Sequence, residues 1–180
     1  MDLNIEVATL ISTGNIVAIY QGRSEAGPRA LGNRSFLYDP RDKFAKEYVN
    51  RIKKREPYRP FAASIMKEYA NKWFDMAGLD ESPFMMYAIE VRPEYKNIIP
   101  GVLHVDNTCR IQTVTEQQNY HYYNLIKKFC ELTNVPLLFN TSFNLAGETI
   151  VETLDDAIDT IKRCDIKYLY LPEKNELCTY

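Results

Sequence analysis

The chain has 180 residues, 46% of them hydrophobic and 26% charged, with a formal net charge of -2. That composition suits one folded globular domain, excludes a long disordered segment, and leaves the chain short for two domains. The isoelectric point of about 5.8 excludes a surface that grips nucleic acid or anionic membrane over its whole extent, so a basic site must be local.

In chain order, Leu3, Val7, Leu10 and Ile11 share a face at helical spacing, and Gly14 stands where a left-handed residue ends a helix. Ile16 to Tyr20 reads as a buried strand, with the glycine-rich stretch after it as its exit loop, and Phe36 to Tyr38 as a short strand. From Asp42 to Lys54 a stripe of Ala45, Tyr48, Val49 and Ile52 predicts a helix that Glu56-Pro57 ends. Strands are expected at Phe61 to Met66, Met85 to Val91, Arg110 to Val114, Leu137 to Phe143 and Tyr168 to Leu171. Tyr122, Ile126, Phe129, Cys130 and Thr133 line another helix, and Thr153 with Asp156 caps one whose apolar face is Leu154, Ala157, Ile158 and Ile161.

Strands and helices interleave with short connections. The expected fold is therefore α/β: a twisted, mixed sheet with flanking helices, one domain over residues 1–180, and a loose tail from about residue 173. No apolar run reaches the roughly 18 residues of a membrane span, and the start lacks a signal-peptide pattern, which predicts a cytoplasmic protein. Four cysteines without CxxC spacing and two histidines support neither a zinc site nor a disulfide framework.

Four stretches carry chemistry. "GRSEAGPRALGNRS" (22–35) combines Gly22, Gly27 and Gly32 with the forked donors of Arg23, Arg29 and Arg34, suited to phosphate or carboxylate. Glu25 there could orient an arginine or bind a hydroxyl; equally, the arginines could be solvated or paired with Glu25 and Asp39. "KKREPYRPFAAS" (53–64) sets Lys53, Lys54 and Arg55 at a helix end, where the dipole alone would favour cations. That account does not reach Arg59, at the mouth of the next strand. "LHVDNTCRIQTV" (103–114) alternates His104, Asp106, Thr108, Arg110 and Gln112 with apolar residues, which predicts one polar strand face. "LLFNTSFNLAGE" (137–148) runs a buried strand into Asn140, Ser142 and Asn144, which can bind phosphate oxygens or form ordinary turns. GxxxxGK[ST] and GxGxxG loops are both missing from the sequence.

Taken in order, these blocks with "DPRD" and "DDAIDTI" resemble the C-terminal domain of the O-carbamoyltransferases of nodulation-factor and antibiotic tailoring, from about residue 5 to about residue 170. The resemblance implies a YrdC-like fold that binds ATP and carbamoyl phosphate and, with Mg2+, forms a carbamoyl-adenylate and releases pyrophosphate. Ser142-x-Asn144 resembles the Ser-Ala-Asn element of YrdC proteins, and Arg59-Pro-Phe their Lys-Pro-Leu element. It puts Arg29, Arg34, Arg55 and Arg59 on phosphate and carbamoyl oxygens. Glu25, Asn33, Ser35, Lys53, His104, Asp106, Thr108, Arg110, Gln112, Asn140, Ser142 and Asn144 become the substrate- and ATP-binding set.

Members of that family usually carry a bulky residue at Ser24, an aromatic at Ala26 and a glycine at Asn107. The full enzymes also have an N-terminal kinase-like domain that holds a metal and transfers the carbamoyl group to a hydroxyl. Transfer by this chain is therefore expected to need a separate domain or subunit. The alternatives are a double-stranded RNA-binding module, drawing on the basic residues from Arg41 to Arg59, and a non-catalytic nucleotide-binding subunit.

Overall fold

A computed structural model describes residues 3–180. In chain order the elements are α1 (Leu3–Ser12), β1 (Val17–Tyr20), β2 (Arg34–Tyr38), α2 (Ala45–Ile52), β3 (Ala62–Met66), α3 (Lys67–Trp73) and β4 (Phe74–Asp75). They continue with β5 (Ala88–Val91), β6 (Thr108–Val114), α4 (Tyr120–Thr133), β7 (Leu137–Ser142), α5 (Leu154–Arg163), β8 (Tyr168–Leu171) and β9 (Glu176–Thr179).

The strands form one sheet in the order β4-β5-β6-β3-β7-β2-β1-β8-β9. It is mixed: β3 runs parallel to β6 and β1 parallel to β8, while β7 lies antiparallel between β3 and β2. α1 and α4 pack on each other and against β1, β2, β3 and β7. The aromatic part of the core includes Phe61 on Phe139, centroids 4.4 Å apart, and Phe36 on Phe143, 4.5 Å apart.

Helix ends follow the local chemistry of the chain. Gly14 has φ +86 just beyond α1, and Asn134 turns left-handed after α4. At α5, Asp156 N–H donates to Thr153 Oγ1 at 3.1 Å and Thr153 N–H to Asp156 Oδ2 at 2.9 Å, a reciprocal cap.

Three elements were not expected. α3 follows β3 without a break, because Met66 opens it without a side-chain cap, so no turn residue marks the boundary. β4 is too short to show a period. The tail from residue 173 is not loose: β9 pairs antiparallel with β8 after a turn closed by Asn175 at φ 52. Pro172 and Asn175 were the available signal for that turn.

The register positions the site. Ala62 lies opposite both Arg110 and Asn140, Ser64 opposite Gln112, and Ser35 opposite Ser142. The polar residues of four central strands thus gather at one end of the sheet, beneath the loop from Gln21 to Asn33. Gly32 of that loop has φ +102 and rests on the Tyr122 ring, where a Cβ would stand 2.2 Å from a ring carbon. Gly32→Ala is expected to destabilise the fold by about 2–3 kcal/mol, through overpacking and a strained φ. Urea denaturation checks it, and an unchanged midpoint would refute the close approach.

Candidate functional site

The loop between β1 and β2 cannot pair its main chain in a ladder, so buried side chains do so instead. Gln112 Nε2 donates to Leu31 O at 2.9 Å, Asn140 Nδ2 to Ala30 O at 3.2 Å, and Gln21 Nε2 to Gly32 O at 2.7 Å. Ser64 joins the first two, donating to Gln112 Oε1 at 2.7 Å and accepting from Asn140 Nδ2 at 2.9 Å. Glu25 Oε1 accepts from Leu31 N–H at 2.7 Å and Asn33 N–H at 2.9 Å. Ser35 Oγ accepts from Gly32 N–H at 3.1 Å.

Arg34, expected on phosphate, is a strut. Its Nη1 donates to Gln21 O at 2.5 Å and Asn33 O at 3.0 Å, and its Nη2 to Gly22 O at 3.1 Å and Glu152 O at 3.2 Å. The guanidinium lies 3.6 Å from the Tyr20 ring centroid, and the residue is 2% exposed. With both terminal nitrogens on main-chain carbonyls, it closes the base of the loop and is not presented to a ligand. The same correction applies to Ser35, fully buried, and to Gln112 and Asn140, which are buried in the loop's supports. Asn33 is likewise engaged: its Nδ2 donates to Arg23 O at 2.9 Å and its Oδ1 accepts from Asn119 Nδ2 at 3.0 Å.

The expected strand face from His104 to Gln112 is half a turn. β6 begins only at Thr108, and residues before it close on themselves: His104 N–H donates to Thr108 O at 2.7 Å, and Asn107 has φ 67. His104 uses one ring nitrogen on Thr108 Oγ1 (3.1 Å) and the other on Phe61 O (2.9 Å). Asp106 Oδ1 accepts from Thr108 Oγ1 at 2.7 Å and Thr108 N–H at 3.0 Å, which holds its carboxyl below the usual range. Asp106 is itself exposed, and these three residues brace the start of β3. Asn107 is left-handed, a conformation that asparagine adopts more readily than most residues.

Arg29, Arg55 and Arg110 form the other part of the site. Among the described residues none of the three has a salt bridge. Arg110 is pushed down in pKa by burial and then by Arg29; Arg55 is pushed down to about 10 by burial, then by Arg59 and Arg110. Arg55 Nη2 and Arg110 Nε are shielded from solvent without a hydrogen-bond partner. Asn50, buried inside the α2 stripe, aims Arg55 by accepting from its Nε at 2.5 Å, and the guanidinium lies 4.2 Å from the Phe61 centroid. Arg59 differs: it is exposed and paired with Glu56 at 2.8 Å, at the mouth of the group. Asn50, Ser64, Gln21 and Tyr122 were missed from sequence; a lone polar residue inside an apolar helical stripe was the signal for Asn50.

The Ser142–Asn144 turn is shaped by Lys53, which is 2% exposed. Its Nζ donates to Asn144 O and Oδ1, each at 2.9 Å, and to Ser142 O. Ser142 Oγ donates to Asn144 Oδ1 at 2.7 Å. A cleft of about 410 Å³ opens between this turn and Glu25, Gly27 and Pro28; a second of about 290 Å³ lies on the other side of Glu25, against Leu31, Phe84 and Gln112. A cavity of about 420 Å³ near Lys67, Asp80 and Tyr123 holds none of the expected residues, and Lys67 there is paired with Asp80 and Glu81.

No three His, Cys, Asp or Glu side chains come together as a metal site among the described residues. The arginines, lysine and amides of the site are not Mg2+ ligands; Glu25 and Glu148 are the carboxylates that line the cleft, and Glu148 is paired with Arg163. No described helix is long and apolar enough to cross a membrane. Of the basic residues from Arg41 to Arg59, Arg41 is paired with Asp39 and Lys53 is buried, while Lys46 donates to Leu103 O.

The profile described as "Carbamoyltransferase C-terminus" matches residues 8–175. The chain belongs to this family. It is 45% identical over 167 residues to nodulation protein NolNO of Sinorhizobium fredii, covering 92% of this chain and 25% of that protein. It is 37% identical over 153 residues to the 3'-hydroxymethylcephem-O-carbamoyltransferase of Amycolatopsis lactamdurans, covering 85% of this domain and 29% of that enzyme. The carbamoyltransferase domain thus spans about a quarter of the length of the curated relatives it matches. In fold it is similar to full-length HypF in a phosphate- and nucleotide-bound form, with 20% identity, a TM-score of 0.64, and coverage of 91% of this chain and 20% of that one. Sua5 of P. abyssi complexed with L-threonine gives 14% identity and a TM-score of 0.59, over 93% of this chain and 46% of that one. The mixed α/β domain is YrdC-like, as expected.

Burial, and next the Arg55 charge, push the Lys53 pKa down from the ordinary lysine value to about 7. The unfolded chain keeps that proton to about pH 10, so between about pH 7 and 10 it binds more protons than the folded state, and stability rises with pH. Below about pH 7 both states are protonated and the contribution is flat. Lys53→Met is expected to remove this rise in a denaturation series from pH 6 to 10; an unchanged slope would mean that the three oxygen acceptors keep the buried ammonium charged as in an ordinary lysine.

Proposed function

We propose that this domain binds ATP and a carbamoyl donor and forms a carbamoyl-adenylate, which a separate domain passes to a hydroxyl acceptor. The observation that carries this reading is the group of Arg29, Arg55 and Arg110: three cations without a salt bridge, two of them with buried N–H groups lacking an acceptor. Such a group is unfavourable alone and favourable around a polyanion, and the polyanion must supply the missing acceptors. The fold likeness to HypF in a phosphate- and nucleotide-bound form supports the same ligand class.

The chemistry follows from that placement. A carbamate oxygen attacks the ATP α-phosphorus, the bond from that phosphorus to the bridging oxygen breaks, and pyrophosphate leaves with the electron pair. With carbamoyl phosphate as donor, water first cleaves it to carbamate and inorganic phosphate. Negative charge grows on the leaving pyrophosphate as the bridge breaks, and rigid guanidinium donors stabilise it without reorganising. Arg34, Gln112 and Asn140 act at one remove, holding the loop that carries Arg29. Lys53 holds the Ser142–Asn144 turn, which lines the cleft beside Glu25 and Gly27 and whose groups would meet the phosphates there. Arg59 at the mouth would guide substrates inward.

Arg110→Ala and Arg29→Ala are each expected to slow pyrophosphate release by about 10²–10³-fold, as loss of one oriented charge donor does. Arg59→Ala should slow it less than tenfold. The assay supplies ATP, Mg2+, carbamoyl phosphate and the transferase domain, and detects pyrophosphate and carbamoyl-adenylate by mass spectrometry. If the wild-type chain so supplied forms neither product, the reading is wrong.

A further inference from the structure

The arginine group offers only donors, yet a carbamoyl NH2 and a ribose hydroxyl both need an acceptor. One carboxylate is poised to be that acceptor. Glu25 Oε1 is fixed by Leu31 N–H at 2.7 Å and Asn33 N–H at 2.9 Å, while its Oε2 is shielded from solvent and has no donor. Glu25 forms no salt bridge with Arg29 or Arg34 of its own loop, so it is not there to neutralise them. It is the residue shared by the two clefts, the one beside Ser142 and Asn144 and the one beside Leu31 and Phe84.

We propose that Glu25 is a specificity-determining residue whose Oε2 accepts a hydrogen bond from an N–H or O–H of the substrate, the carbamoyl amide or a ribose hydroxyl. This rests on the adenylate-forming reading and names what that site selects. A shielded carboxylate oxygen without a donor is unfavourable by itself, so the ligand that brings the donor gains what the empty site lacks. A ligand with only oxygen acceptors or a methyl group at that point leaves the oxygen unpaired or repelled. Sites built around such a bond reject analogues lacking the donor far more strongly than apolar pockets reject a missing methylene. The two main-chain N–H groups fix Oε1 before substrate arrives, so binding has only to open the shielded Oε2 to the cleft.

The test is calorimetric binding to the 180-residue chain, which requires no turnover. Carbamoyl phosphate is compared with acetyl phosphate, which replaces NH2 by CH3, and ATP with 2'-deoxy-ATP and 3'-deoxy-ATP. The wild type is expected to prefer the donor-bearing ligand at least tenfold in one arm. The phosphate pair assigns Oε2 to the carbamoyl amide and the nucleotide set assigns it to ribose. Glu25→Gln keeps an oxygen for Leu31 and Asn33 but places an NH2 where Oε2 stands, and should abolish that preference with little change in melting temperature. Retention of the preference by Glu25→Gln overturns the proposal. Should that variant fail to fold, the wild type decides alone: equal affinity within twofold in both arms overturns it. Weak binding of every ligand by the wild type would instead remove the adenylate-forming reading, and this proposal with it.

Discussion

The site depends on how the main chain between Tyr20 and Arg34 is satisfied. That segment crosses the end of the sheet without a partner strand, and buried peptide groups left unpaired would be unfavourable by about 1–3 kcal/mol each. Gln112, Asn140, Gln21 and Glu25 each take one or two of them, and Arg34 collects four carbonyls at the loop's base. The loop is consequently held by the sheet and by its own residues, and Arg29 is carried on a framed backbone. Rigid placement is what makes an oriented charge useful in a transition state.

The same economy of partners explains the electrostatics. Arg34 and Arg41 are supplied with acceptors inside the fold, the latter by Asp39 at 2.6 Å. Arg29, Arg55 and Arg110 are not. Lys53 lies between these cases: buried, with its ammonium turned to three oxygen acceptors of the Ser142–Asn144 turn. Four basic groups drawn from three separate segments thus stand at one end of the sheet. A polyanion binding there would couple its affinity to the stability of the fold.

Family membership and geometry constrain different things. The matching relatives are about three to four times as long as this chain, so most of their length lies outside the matched domain. What the domain itself supplies is a YrdC-like sheet with a charged, loop-covered end. In an ordinary open α/β sheet, ligands gather beyond the carboxyl ends of parallel strands. Here the mixed topology brings the exits of β1 and β7 together with the entries of β2, β3 and β6, so strand ends of both kinds build the site.

Much was legible in the sequence. Periodicity set most helices and strands, Gly14, Asn134 and the Thr153–Asp156 pair marked helix ends, and ordered blocks pointed to the family, because these are local or alignable features. Which arginine would be free was not legible. Arg29 and Arg34 are five residues apart in one motif, yet one is a strut with both terminal nitrogens on carbonyls and the other is not. His104 and Asp106 looked like alternating strand residues, because a closed turn and a strand entry share a short polar pattern. Phe61 O, which holds His104, and Glu152 O, which holds Arg34, lie far from them in sequence. Residue types and spacing determine what a side chain can donate or accept; only the packed fold decides which acceptors reach it first, and so which donors remain for a ligand.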